Sequence, residues 1–300
     1  MKTRTGKKPA VRALALAILT AGVSSFANAG QVNGPVSGLE LQMRAWSNNA
    51  EIDWSSVQGL QSLDLSSSLV LDQATGNIRL ADGAQTHFDS FTTTAGGQSL
   101  VSIDLIPSAE LSNVDPILSY GMSVVNNGAG LATFQRITTA PILPTLSGPV
   151  QVRAGVSGSV SDIGGGGVTI TPAQQAATAQ DSDGIPELQV FQLRQTVGSG
   201  TWTNAGVDVG IAKTFNSDPA PFTYVYGAYN LPNQAGPTAG TAWAQMQTVT
   251  RFTLTGGGDR ATLVGFAEIL PVPEPSEYAM LLAGLAVVAG VARRRRIVLS

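Results

Sequence analysis

Apolar and polar residues alternate with a period of two over much of the chain, the pattern of strands that bury one face. Val101, Ile103 and Leu105 alternate with Ser102 and Asp104, and comparable runs cover 118–125, 132–138, 150–156, 187–193, 222–229, 247–254 and 261–269. Clusters of Gly, Asn, Asp, Pro and Ser separate these runs at spacings that predict an all-β fold, an antiparallel β-sandwich. Asn126, Asn127 and Gly128 are placed to supply positive φ angles for a hairpin turn, and residues 155–159 read as a turn between strands. Long amphipathic helical patterns are missing. The one body segment with helical signals is 172–180, where Thr171 could cap, Pro172 suits the first turn and alanines follow. Pro141, Pro144, Gly148 and Pro149 crowd into 141–149, so the body either divides there into two sandwich halves or forms one large sandwich.

Two apolar runs, one at each end, depart from the strand period. At the N-terminus Lys2, Arg4, Lys7, Lys8 and Arg12 precede an apolar stretch over 13–23, which ends in Ala27, Asn28 and Ala29. Basic start, short apolar segment and an A-x-A site compose a secretory signal peptide over 1–29, with signal peptidase cleaving between Ala29 and Gly30. The mature body then covers 30–270. Near the C-terminus the uncharged run 278–292 spans ~22 Å as a helix, short of the ~30 Å hydrocarbon core. Arg293, Arg294, Arg295 and Arg296 follow it at once. Arginines can reach the interface and hold the tail in the cytoplasm, which makes 278–292 a transmembrane helix with the body outside.

Immediately before that helix stand Val272, Pro273, Glu274, Pro275 and Ser276, kept extended by the prolines. The order Pro-Glu-Pro, apolar helix, arginine cluster over 271–300 resembles the PEP-CTERM sorting signal of Gram-negative bacteria. By that resemblance Pro273, Glu274 and Pro275 are the recognition motif, and an integral-membrane exosortase processes the tail. The helix and the arginines are then discarded, so the inner membrane holds the chain only transiently before it reaches the cell surface or the exterior. The resemblance also implies a structural or adhesive role beside exopolysaccharide in a biofilm or envelope. A permanently retained anchor is the other reading of the same tail.

Composition narrows the partners. Charged residues make up 12% of the 300-residue chain, against about 25% in ordinary soluble domains. The net charge of −3 averages dissimilar segments, for the body between 30 and 270 holds eight basic and eighteen acidic residues, a net of −10. Nucleic acid, whose binding rests largely on phosphate neutralisation, is a poor partner for such a body. The chain has no cysteine, which excludes disulfides, zinc thiolates and thiol catalysis.

Candidate chemistry is sparse, and the chain is read as non-enzymatic. Glu51 and Asp53 lie two apart, on one face if the segment is a strand, and resemble the start of the E-x-D-x-x-E signature of a family of β-sandwich glycoside hydrolases. The third carboxylate of that signature is replaced by Ser56, leaving the acid and nucleophile set incomplete. His87 is the only histidine; with Asp89 two residues on, it reads as an exposed strand or loop residue. Asp181, Asp183 and Glu187 alternate around Ser182 and Gly184 in the manner of a calcium loop, and resemble thrombospondin-type aspartate-rich repeats. An ordinary acidic turn is the alternative, and no other cofactor is implied. Gly164 to Gly167 reads as a flexible turn, since no Lys-Ser/Thr follows. Phe222, Tyr224 and Tyr226 alternate on one strand face, either as a platform for sugar rings or as core. Beside the structural role, the chain is therefore read as a carbohydrate- or calcium-dependent binding module, and less readily as a cryptic glycoside hydrolase.

Overall fold

Among the described residues the period of two becomes sixteen strands. A computed structural model describes residues 38–47, 61–72, 77–81, 83–88, 101–106, 116–173, 186–216, 221–237, 241–272 and 280–289. In chain order the strands begin with β1 (Glu40–Ser47), β2 (Gln61–Asp64), β3 (Leu69–Asp72), β4 (Asn77–Leu80), β5 (His87–Phe88), β6 (Val101–Ile106), β7 (Ile117–Asn126) and β8 (Ala132–Leu146). They continue with β9 (Val150–Asp162), β10 (Val168–Pro172), β11 (Gln189–Arg194), β12 (Thr203–Asn204), β13 (Lys213–Phe215), β14 (Phe222–Ala235), β15 (Trp243–Leu254) and β16 (Asp259–Pro271).

Two antiparallel sheets form a sandwich. The first runs β12-β11-β15-β8-β1-β2, with β10 beside the far end of β15 and β13 beside β10; the second runs β14-β9-β16-β7-β6-β5. Strands β3 and β4 form a separate hairpin. Their inner faces interdigitate in two clusters. In one, Leu41, Met43, Phe134 and Phe252 of the first sheet meet Ile103, Met122, Val124 and Leu263 of the second, and the Phe134 and Phe252 rings lie 5.8 Å apart. In the other, Ile142, Phe191, Trp243 and Met246 meet Leu118, Val152, Val156 and Ile269. Each large side chain so buried contributes about 1.5–3 kcal/mol.

The strands run longer than their turn residues suggest. Residues 155–159 lie inside β9 rather than in a turn, because Gly155 and Gly158 serve packing. A side chain at Gly155 would collide with Phe266 and Asn230, and one at Gly158 with the backbone of β16. Pro141 and Pro144 stand within β8, and strands from both sides of 141–149 share both sheets. That segment is where the chain leaves the first sheet for the second. Pro172 ends β10 opposite Phe252 instead of opening a helix; the rest of that predicted helix lies outside the described residues.

Asn126 to Gly128 does not close a hairpin, since β7 and β8 belong to opposite sheets. Asn126 is fully buried, and its side chain does the bracing. It donates to the Gly130 and Leu254 carbonyls at 2.7 and 3.0 Å and accepts from the Gly128 N–H at 3.1 Å. Two further crossovers, 163–167 and 255–258, meet it at the same end of the sandwich, where Gly257 donates to the Gly128 carbonyl at 2.7 Å. The glycine quartet is thus a crossover held from below. Buried Asp162 accepts from the N–H groups of Gly165 and Gly167 at 2.6 and 2.8 Å, and both glycines have positive φ.

The helix expected over 278–292 is present at 280–289, the part of it that is described. Its Met280, Leu281, Leu282, Leu285, Val287 and Val288 are exposed. Among the described residues no helix is long and apolar enough to cross a membrane. The signal peptide with Ala27, Ala29 and Gly30, the motif Pro273, Glu274 and Pro275, and Arg293 to Arg296 lie outside the described residues.

Candidate functional site

The outward residues of the two sheets differ in kind. On the second sheet short hydroxyl residues stand among a few larger ones: the Thr262 hydroxyl donates to Ser123 Oγ at 3.1 Å, Ser161 and Thr223 share a hydroxyl bond of 2.8 Å, and Arg153 Nε donates to Glu268 Oε2. On the first sheet they are glutamines, arginines, threonines and tryptophan, brought into rows by the register of the strands.

Arg44 of β1, Gln135 of β8 and Arg251 of β15 are direct cross-strand neighbours and form one row. Thr171, Thr253, Thr133 and Trp46 form the next row towards one end. Towards the other end, beyond the row Val190, Val249, Ile137 and Gln42, come Asn204, Gln192, Gln247, Thr139 and Glu40. Arg194 and Gln245 close the series.

Most of these groups hold one another. The Thr139 hydroxyl donates to Gln247 Oε1 at 3.2 Å, and Gln247 Nε2 donates to Gln192 Oε1 at 3.1 Å. Arg194 Nε donates to Gln245 Oε1, while its guanidinium lies over the Trp202 ring, 4.3 Å from the centroid. In the arginine row, Arg44 Nη2 donates to Gln42 Oε1 at 3.0 Å, and the Arg251 guanidinium lies 5.5 Å from the Trp46 ring centroid. Arg44 Nε and Gln135 Oε1 are buried in that row without a hydrogen-bond partner. Gln135 is only 5% exposed. Arg251 is pushed down to about 9 by burial, with the neighbouring charge of Arg44 adding to the shift. Planar amides, guanidinium groups and indoles in rows present fixed hydrogen-bonding edges, the chemistry that matches hydroxyl- and carboxylate-rich ligands.

The residues singled out from sequence are not brought together. Glu51, Asp53, Asp181 and Asp183 lie outside the described residues. Glu187, the remaining member of the acidic run, is described and buried at 6% exposure. Among the described residues no three His, Asp or Glu side chains converge as metal ligands would. His87 is exposed, as expected, and its Nδ1 pairs with Asp104 across β5 and β6. In the register Ser123 stands on the far side of Asp104 from His87, so this row makes no serine–histidine–aspartate relay.

The aromatic stripe of β14 grades from surface to core instead of forming a level platform. Phe222 is 45% exposed and packs at 4.7 Å on Tyr224, which stacks at the same distance on Phe215. Tyr226 is fully buried, and its hydroxyl donates to the Ile211 carbonyl at 2.6 Å. A sugar ring cannot reach Tyr226.

The glutamine and arginine rows were not anticipated from sequence. A signal existed: the polar positions of LQMRAW, TFQRITT, VFQLR and AQMQTVTRFT carry long planar side chains where a merely solvated face takes Ser, Thr or Lys.

Comparison with known proteins matches residues 271–296 to the PEP-CTERM protein-sorting motif. The chain therefore carries the sorting signal of an exported protein processed by exosortase. No curated protein sequence matches the chain. Among solved structures, TmCBM61 in complex with β-1,4-galactotriose is similar at 9% identity and a TM-score of 0.24, over 57% of this chain and 88% of that one. The enzymatically active domain of bacteriophage CBA120 tailspike protein 4 is similar at 9% identity and a TM-score of 0.22, over 56% and 19% of the two chains. A structure of infectious bursal disease virus, Gx strain, follows at 10% identity and a TM-score of 0.21, over 82% and 58%.

Proposed function

We propose that this protein is a non-enzymatic, structural or adhesive component of extracellular material, held among exopolysaccharide in a biofilm or envelope matrix. The sorting motif over 271–296 carries the reading, because it delivers an all-β body to the outside of the cell. The body suits such a place. It has no cysteine to depend on a redox environment, and its sandwich buries two hydrophobic clusters between hydrogen-bonded sheets. The glutamine–arginine face of the first sheet favours one refinement, that the body also contacts carbohydrate as a binding module.

Fractionation of the producing cells tests the reading. The protein is expected in the exopolysaccharide fraction, and a chain ending before Pro271 is expected to remain inside the envelope. Recovery of the intact protein only from a soluble intracellular fraction would contradict the proposal.

A further inference from the structure

An edge strand presents a row of backbone N–H and C=O groups to whatever lies beside it, and folds blunt such edges with short length, charge or proline. Among the described residues the outermost strands are β2, β12 and β13 in the first sheet and β5 and β14 in the second. Four of these have only two to four residues. The fifth, β14, has 14 residues, and β9 is its one neighbouring strand among the described residues. It carries no charge, and no charged residue occurs between Asp218 and Arg251. Its exposed side chains include Phe222 at 45% and Val225 at 78%, residue types that favour strand pairing. A long, uncharged edge of this composition suits the addition of another strand.

Two irregularities of β14 select the strand that fits. The register slips between Leu231 and Gln234, around Pro232, so a regular ladder ends at Leu231. Between Val225 and Gly227 the strand holds one residue more than β9, and Gly227 has a φ of +113° there. A straight strand added at this edge would lose register at the extra residue. A second copy of β14, related by a two-fold axis near Tyr226, brings its own extra residue to the same place, and the two strands then match on both sides of the axis. Charge favours the same partner. The body is net −10, so its surface in general repels another copy, whereas along β14 a copy meets no like charge. We propose that two copies of this chain pair antiparallel through residues 222–231 of β14, joining their second sheets into one continuous sheet. The pairing goes beyond the matrix reading and does not depend on it. The inner face of β14 is already occupied in the single chain: Tyr226 is buried, Tyr224 stacks on Phe215, and Lys213 lies over the Tyr226 and Tyr229 rings. The strand therefore meets its partner pre-formed, with little left to order on association.

Sedimentation velocity and light scattering on the protein as the producing cells release it provide the test, and a dimer is the expected species. Val225→Lys combined with Ala228→Lys sets like charges across the axis at two exposed positions, so it should raise the dimer dissociation constant at least about ten-fold with the unfolding midpoint unchanged. Val264→Lys is the control for stacking of whole sheet faces. Val264 is 43% exposed on the same outer face but two strands in from the edge, and its substitution should leave the dimer intact. A monomer at about 100 μM, a dimer indifferent to the paired lysines, or a dimer lost equally in Val264→Lys would each overturn the proposal. In any of those cases, presence of the protein in the exopolysaccharide fraction would leave the matrix reading standing.

Discussion

The Tyr120 hydroxyl donates to Gln189 Oε1 at 2.7 Å, and this bond runs from one sheet of the sandwich to the other. It is part of a closed set. Thr250 donates its hydroxyl proton to the Tyr120 oxygen at 2.7 Å, and Gln189 Nε2 returns to the second sheet through the Phe266 carbonyl at 2.9 Å. Arg136 enters the same interior, donating to the Gly121 carbonyl at 2.9 Å with its guanidinium 5.0 Å from the Tyr120 ring centroid. The sandwich interior thus joins its two hydrophobic clusters with a polar group that is satisfied only in one register, which specifies how the sheets are stacked.

Tyr120→Phe should cost about 1–3 kcal/mol, because Gln189 Oε1 and the Thr250 hydroxyl lose a partner where water is excluded. Gly265→Ala should cost a similar amount by crowding, since a Cβ there would lie 2.5 Å from Gln189 Oε1 and from the Tyr120 hydroxyl. The two should couple, and the double variant should lose less than the summed effects. Denaturant unfolding of the three variants measures this; strict additivity would show that Gly265 and Tyr120 do not share one space.

Burial pushes Tyr120 up to about 12 and raises Tyr226 as well, with Tyr229 adding to the latter. A tyrosine raised above its ordinary value of about 10 keeps its proton in the folded chain and releases it in the unfolded one. Stability should therefore fall as pH rises from about 10 towards 12. At about pH 11 Tyr120 and Tyr226 should remain protonated in the folded protein, with a further rise in phenolate absorbance on unfolding. Full ionisation without unfolding would contradict the buried positions.

Asp259 is held above the usual carboxylate range, by burial first and by the charge of Asp162 in addition, against the opposing bonds from Thr255 and the Ile163 N–H. The unfolded chain loses this proton at lower pH than the folded one. The stabilisation is present below the ordinary carboxylate range and is lost as pH rises through the folded value. Asp259→Asn keeps the shape of the group without its charge, so unfolding midpoints across mildly acidic pH should vary less in that variant. An unaltered pH profile would refute the assignment.

The β14 stripe separates surface from core along one strand. Tyr226→Ala should cost about 3–5 kcal/mol by opening a cavity among the residues around it. Phe222→Ala should cost far less, because Phe222 is 45% exposed. Thermal unfolding of the two variants decides the matter, and equal losses would mean the stripe is buried throughout.

Strand identity was legible wherever a single residue type filled the inward positions. Val101, Ile103 and Leu105 predict β6, and Ala261, Leu263, Ala267 and Ile269 occupy the buried positions of β16 as the alternation requires. Strand length was not, because Gly and Pro carry two meanings. Gly155 and Gly158 look like turn residues and are in fact clearances for Phe266 and the β16 backbone, a property of neighbours distant in the chain. Sheet assignment was hidden for a similar reason. Asn126-Asn127-Gly128 has hairpin chemistry, yet the buried Asn126 side chain ties the loop to Leu254, and the chain crosses to the opposite sheet. The outer rows escaped notice because each strand contributes one member: Arg44, Gln135 and Arg251 are far apart in sequence and become one row only through register. The sorting motif was legible in full, since its chemistry is contiguous.

Export with exosortase processing is tested most directly by the intact mass of the protein recovered from outside the producing cells. The expected species begins at Gly30 and contains nothing beyond Pro275. A recovered chain that still carries Arg293 to Arg296 would contradict it.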